Sequence, residues 1–162
     1  MRAVREGRNV FERMIYPQSM SRPLPSEVEE PFRSEFTEAC VVLASSEKAS
    51  AALSRRCLQM LLVTKGGAKA RDLYDQIEET LPTLPADVAE SLHAVRAIGN
   101  FAAHPMKSKS TGDIVDVESG EAEWNLETLE QLFDFYFVRP AAQAKRKAAL
   151  NAKLVDLGKP GI

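Results

Sequence analysis

Apolar residues along most of this chain recur at steps of three and four, the period of a helix packed on one side. The first run is Val28, Phe32, Phe36, Ala39, Cys40 and Leu43. Ser26-Glu27-Val28-Glu29 has the form of a capping box and predicts a helix start at Ser26. Pro31 falls early enough to be tolerated or to kink that helix. Ser45-Ser46-Glu47 restarts a helix after a tight turn, with Ala49, Ala52, Leu53, Cys57, Met60 and Leu61 on its apolar face and Gly66-Gly67 as its stop. Ala70 to Leu81 reads as a shorter third helix, with Leu73, Ile77 and Leu81 aligned. Pro85 suits the first turn of a fourth, where a missing N–H costs nothing. Val88, Leu92, Val95, Gly99 and Ala102 form its inward face, and Pro105 closes it. Trp124 to Val138 is a fifth, with Leu126, Leu129, Leu132, Phe133 and Tyr136 inward. Pro140 is expected to break or kink it, and a basic helix from Ala141 to Leu157 follows, ending near Gly158.

Alternation long enough to build a sheet is missing; only Asp113 to Val117, inside a polar loop over 105–123, reads as briefly extended. The fold class is therefore all-α, a helical bundle of four main helices plus a C-terminal helix. The chain divides into an irregular N-terminal segment, 1–25, a bundle domain, 26–138, and a basic C-terminal helix and tail, 139–162. The first two helices should fold into an antiparallel hairpin about residue 45 or 46. That hairpin sets Cys40 and Cys57 about 9 Å apart along the axis at the helical rise. A disulfide does not span that distance, so both are expected as free core residues.

Composition narrows the class. With 162 residues, 44% hydrophobic and 27% charged, the chain is an ordinary globular domain rather than a disordered one. Two cysteines exclude a disulfide scaffold and a four-cysteine zinc site, and nothing in the sequence implies a cofactor. The apolar stretches Leu58 to Val63 and Leu132 to Val138 fall well short of the roughly 20 residues a membrane span needs. Arg2 and Arg5 interrupt the start, where a signal peptide would be apolar, so the expected location is the cytoplasm, with no membrane partner.

The net charge of -2 argues against generic coating of a polyanion, which needs excess cation. That average hides a segregation: net +3 over 1–25, net -10 over 26–138 and net +5 over 139–162. Asp113 to Asp134 holds eight acidic residues and no Lys or Arg. Such runs are ordinarily solvated faces. The sharper reading is that the basic ends meet a polyanion or an acidic patch of a second chain.

Candidate chemistry gathers on the fourth helix. His93, Arg96, Asn100 and His104 fall within about 80° of one another at the helical period. Both histidines of the chain are in this stripe. His104, at a helix C-terminus, is placed where the macrodipole favours the imidazolium, as a general acid requires. Arg96 presents five fixed donors suited to a phosphate, and Asn100 is one turn from His104 and able to orient it. Together they suit metal-independent acid–base chemistry on a phosphodiester. The same residues also fit a purely structural role: His104 bonding helix-end carbonyls, Asn100 bridging helices, Arg96 pairing with a carboxylate on the first or fifth helix. Arg55 and Arg56 on the second helix are either a solvated pair or further phosphate-binding groups beside His93 and the stripe.

The string Arg96-Ala-Ile-Gly99-Asn100-Phe-Ala-Ala103-His104 resembles the signature of the bacterial domain of unknown function 4145 family. Supporting stretches are Phe36-Thr-Glu38-Ala39 and Ala51-Ala-Leu-Ser-Arg55-Arg56-Cys-Leu58, with Leu73 and Ile77 before the proline loop. That family is similar to the HEPN superfamily (higher eukaryotes and prokaryotes nucleotide-binding), α-helical bundles that are often homodimeric. Many of them are metal-independent ribonucleases of defence and RNA-processing systems. The resemblance implies that Arg96 holds the scissile phosphate, His104 transfers the proton and Asn100 supports it, with RNA as the partner. It leaves a second implication open, a catalytically inactive dimerisation or protein-interaction module. The superfamily pattern places four to six residues after a polar neighbour of the Arg before the His; here seven residues separate Arg96 from His104, about 12 Å along the axis.

Overall fold

The computed structural model describes residues 22–103 and 120–161, and every regular element among the described residues is helical. In chain order these are α1 (Phe32–Leu43), α2 (Glu47–Thr64), α3 (Leu73–Thr80), α4 (Ala86–Ala103), α5 (Glu121–Phe133) and α6 (Arg139–Asp156). The expected all-α class is what is found.

Helix α1 begins later than the capping box predicts. Ser26 turns its hydroxyl to Glu27 Oε2 at 3.1 Å and caps nothing. Pro31 is the reason. A residue before proline avoids helical geometry, so the regular helix starts only beyond it. Glu30 then takes the capping role, its carboxylate accepting from the Ser34 N–H at 3.2 Å.

The α1–α2 hairpin forms as expected. Ser46 caps α2, its hydroxyl accepting from the Ala49 N–H at 3.1 Å. Buried Ser50 crosses the hairpin and donates to the Ala39 carbonyl at 2.8 Å. At the far end Gly67 is left-handed, with φ of 73°, and the Ala68 N–H returns to the Leu62 carbonyl at 3.1 Å. Gly66 is needed for a different reason: a Cβ there would lie 2.6 Å from the Leu62 carbonyl oxygen.

Helix α3 starts at Leu73, not Ala70, because Asp72 supplies its cap, accepting from the Asp75 N–H at 3.0 Å. Helix α5 starts three residues before Trp124, after Gly120 in a left-handed conformation.

Pro140 does not break the fifth helix. Residues Asp134–Val138 form a π turn, and helix continues without interruption from α5 through it into α6. A proline ring crowds the carbonyl four residues earlier. The wider π turn places one extra residue before Pro140 and absorbs that crowding.

Helix α5 is the centre of the bundle and packs against α1, α2 and α4. Leu126, Leu129 and Leu132 on α5 are fully buried, as are Leu61 and Leu62 on α2 and Leu92 on α4. At one end Phe32 and Phe36 of α1 meet Phe137 and Phe133, with ring centroids 5.7 and 5.5 Å apart. Burying a side chain of this size contributes about 1.5–3 kcal/mol, so this aliphatic and aromatic layer dominates the stability. Helix α6 is different: none of its residues is buried.

Candidate functional site

The inward period of α4 is confirmed at Val88, Leu92 and Val95, all buried. Their spacing turns His93 and Arg96 toward the edge of α4, beside α3. The Arg96 guanidinium forms an ion pair with Glu78 of α3 and lies over the Tyr74 ring, 4.7 Å from its centroid. Its Nη2 is 3.2 Å from His93 Nε2. A guanidinium carries only donors, so the imidazole nitrogen accepts, which holds the His93 proton on Nδ1. Arg96 is 17% exposed and Glu78 60% exposed, so the acid and the ring cover the guanidinium.

The carboxylate partner of Arg96 is therefore on α3, not on the first or fifth helix. Tyr74 and Glu78 stand one turn apart on α3, and sequence reasoning passed over both. The available signal was their i, i+4 spacing on the polar side of a short helix next to α4. Asn100 lies further along α4, where the structure describes backbone alone. His104 and the Asp113–Val117 stretch lie outside the described residues.

The α2 arginines face carboxylates too. Arg55 is half-buried near Glu121 at the start of α5; burial draws its pKa down and the Glu121 charge opposes that shift. Arg56 reaches Glu35 of α1, Nη2 to Oε1 at 2.9 Å, and is otherwise exposed. Cys40 and Cys57 are free and buried, as the hairpin geometry required. Burial pushes the Cys40 thiol up to about 11 and the Cys57 thiol up to about 12. These are inert thiols, not nucleophiles. Among the described residues no three His, Cys, Asp or Glu side chains gather to hold a metal ion, and no helix is long and apolar enough to cross a membrane.

The described residues also contain an acidic groove of about 440 Å³ where α4 meets α5, lined by Asp87, Glu127, Glu130, Gln131, Asp134 and Arg139. Arg22 meets Glu130 at 3.1 Å and Arg139 meets Asp134 at 2.6 Å. The acid-rich run had marked this stretch in the sequence; its partner residue Asp87 on α4 is a product of the packing.

The family described as domain of unknown function (DUF4145) matches residues 37–154, from within α1 to the last turn of α6. No curated protein and no solved structure matches the chain. The family match spans well over half of the sequence and takes in the Arg96–Asn100 helix, the α2 arginines and the acidic groove, so this chain belongs to the DUF4145 family.

Proposed function

We propose that the chain is a protein-interaction module of HEPN-like architecture, in which the α4 stripe serves structure rather than catalysis. The observation that carries this reading is the engagement of Arg96: Glu78 neutralises it, Tyr74 stacks on it and His93 accepts from it. A phosphate would have to displace a carboxylate already in contact. Arg55 and Arg56 support the same reading, since each faces a glutamate. What favours the HEPN-like architecture is the all-α bundle together with the Arg96-to-His104 string on and after α4.

The test is RNA cleavage by the purified chain in EDTA, across structured and single-stranded RNAs. Wild type and His104→Ala should both match a protein-free blank. Arg96→Ala should lower stability by about 1 kcal/mol, the size of one covered ion pair with a cation–π contact. At this chain length that is a drop in Tm of roughly 2–4 °C. Cleavage by wild type that disappears in both Arg96→Ala and His104→Ala would overturn the proposal and establish the ribonuclease reading.

A further inference from the structure

The apolar and charged positions at the end of α6 are sorted by side. At the helical period Leu150, Leu154 and Leu157 form one stripe, spaced i, i+4 and i+7. Arg146 and Lys153 border the stripe on one flank and Lys147 borders it on the other. Asp156, the one acid of residues 139–156, falls outside this face.

Packing fixes which way the face points. Lys145 lies about 140° round the helix from Leu150, and its Nζ is 3.9 Å from Glu27 Oε1, just before α1. The Lys145 side is therefore turned to the bundle and the leucine side away from it. Leu150 is 44% exposed and Leu157 70% exposed, and Arg146, Lys147 and Lys153 are exposed with them. Of the helical segments, α6 contacts only the π turn that precedes it, so no described helix covers the stripe.

An occupant of this face has to take leucines and cations together. RNA would meet the cations and leave the leucines wet. An anionic bilayer surface takes both. The leucines enter among the headgroups, while Arg146, Lys147 and Lys153 extend their aliphatic stems along the apolar boundary and set their charges against phosphate. A flat surface reaches both flanks of the stripe at once and needs no groove of matched register. We propose that this face of α6 docks on the anionic headgroup layer of a membrane, with the helix lying in the plane of the interface. The stripe begins about 16 Å beyond Arg139 and ends about 27 Å beyond it at the helical rise. Charge is felt over only about 8 Å at physiological ionic strength, so the acid-rich bundle behind the arm does not cancel the attraction. The short apolar stretches bar a crossing helix, not one that lies on the surface. The proposal thus departs from the sequence-based expectation of no membrane partner, and it is independent of the role given to the α4 stripe.

The experiment is flotation of the full chain with vesicles of phosphatidylglycerol and phosphatidylcholine in equal parts, against vesicles of phosphatidylcholine alone. Wild type should float with the first and not with the second. The cation variant Arg146→Gln/Lys147→Gln/Lys153→Gln and the leucine variant Leu150→Gln/Leu154→Gln/Leu157→Gln should each bind the anionic vesicles at least about tenfold more weakly. Lys145→Gln, on the side turned to the bundle, should float like wild type. Unchanged helical circular dichroism checks that each variant folds. Wild type that stays with the aqueous fraction overturns the proposal, and so does binding that the leucine variant keeps in full, which would be contact of bare charge. Binding of wild type to a labelled RNA, lost in the cation variant and kept in the leucine variant, with no flotation, overturns it in favour of a nucleic-acid partner.

Discussion

Arg96 shows how a residue with catalytic credentials becomes a structural one. Its donors are the right chemistry for a phosphate, but donors bind what the fold puts in front of them, and α3 puts Glu78 and Tyr74 there. The helical period placed Arg96 and His93 on one side of α4; nothing local identified the acid that meets them. The cysteines were more legible, because a hairpin of known pitch fixes their separation. Their burial has a pH consequence. In the unfolded chain both thiols ionise near their ordinary value of 9.0, whereas the folded thiols stay protonated up to about 11 and about 12. Between those limits the unfolded state releases protons that the folded state keeps, so stability falls as pH rises. Below about pH 8 neither state ionises and the effect vanishes. Tm should therefore decline more steeply from pH 9 to 11 in wild type than in Cys40→Ala/Cys57→Ala. Parallel slopes would show that the thiols are not the cause.

At the level of elements, the apolar period located helices well and prolines misled about their ends. Val88, Leu92 and Val95, and likewise Leu126, Leu129 and Leu132, are buried as their spacing demands. Helix starts are decided by single hydrogen bonds that the period does not see. Glu30 rather than Ser26 caps α1, and Asp72 rather than the Ala70 region sets the start of α3. Pro140 was read through its usual helix-breaking effect, and a π turn accommodates it instead. Where the helix restart was read correctly, at Ser45-Ser46-Glu47, the cap that sets it has a measurable contribution. Ser46→Ala removes the acceptor for the Ala49 N–H and should destabilise the chain by about 1 kcal/mol in urea unfolding. Ser46→Asp should restore most of it, and an unchanged midpoint in Ser46→Ala would mean water replaces the cap without loss.

For the whole molecule, the division of labour is between a bundle that holds the buried core and an appended helix. No residue of α6 is buried, so α6 adds little to the core. A chain ending after Ala142 should melt at the temperature of the full chain in about 1 M salt, where exposed charge contacts are screened. A large loss of Tm on truncation even in high salt would instead assign α6 to the folded core. The net charge of -2 is uninformative about this arrangement, since it averages an acidic middle and two basic ends.

On α2 the packing decided the buried side: Ala52, read as inward, is exposed, while Ser50, Ser54, Leu58 and Leu62 are buried. The sequence by itself determined the all-α class, the buried faces of α1, α4 and α5, the hairpin and the free cysteines. These follow from period and pitch, which are properties of neighbours along the chain. The string around Arg96 also pointed to the family. The tertiary structure alone decided which carboxylate meets Arg96, how the helix passes through Pro140, and that Asp87 joins the α5 acids around one groove. Each of these depends on residues distant in sequence or on a backbone adjustment driven by packing, and no local pattern encodes either.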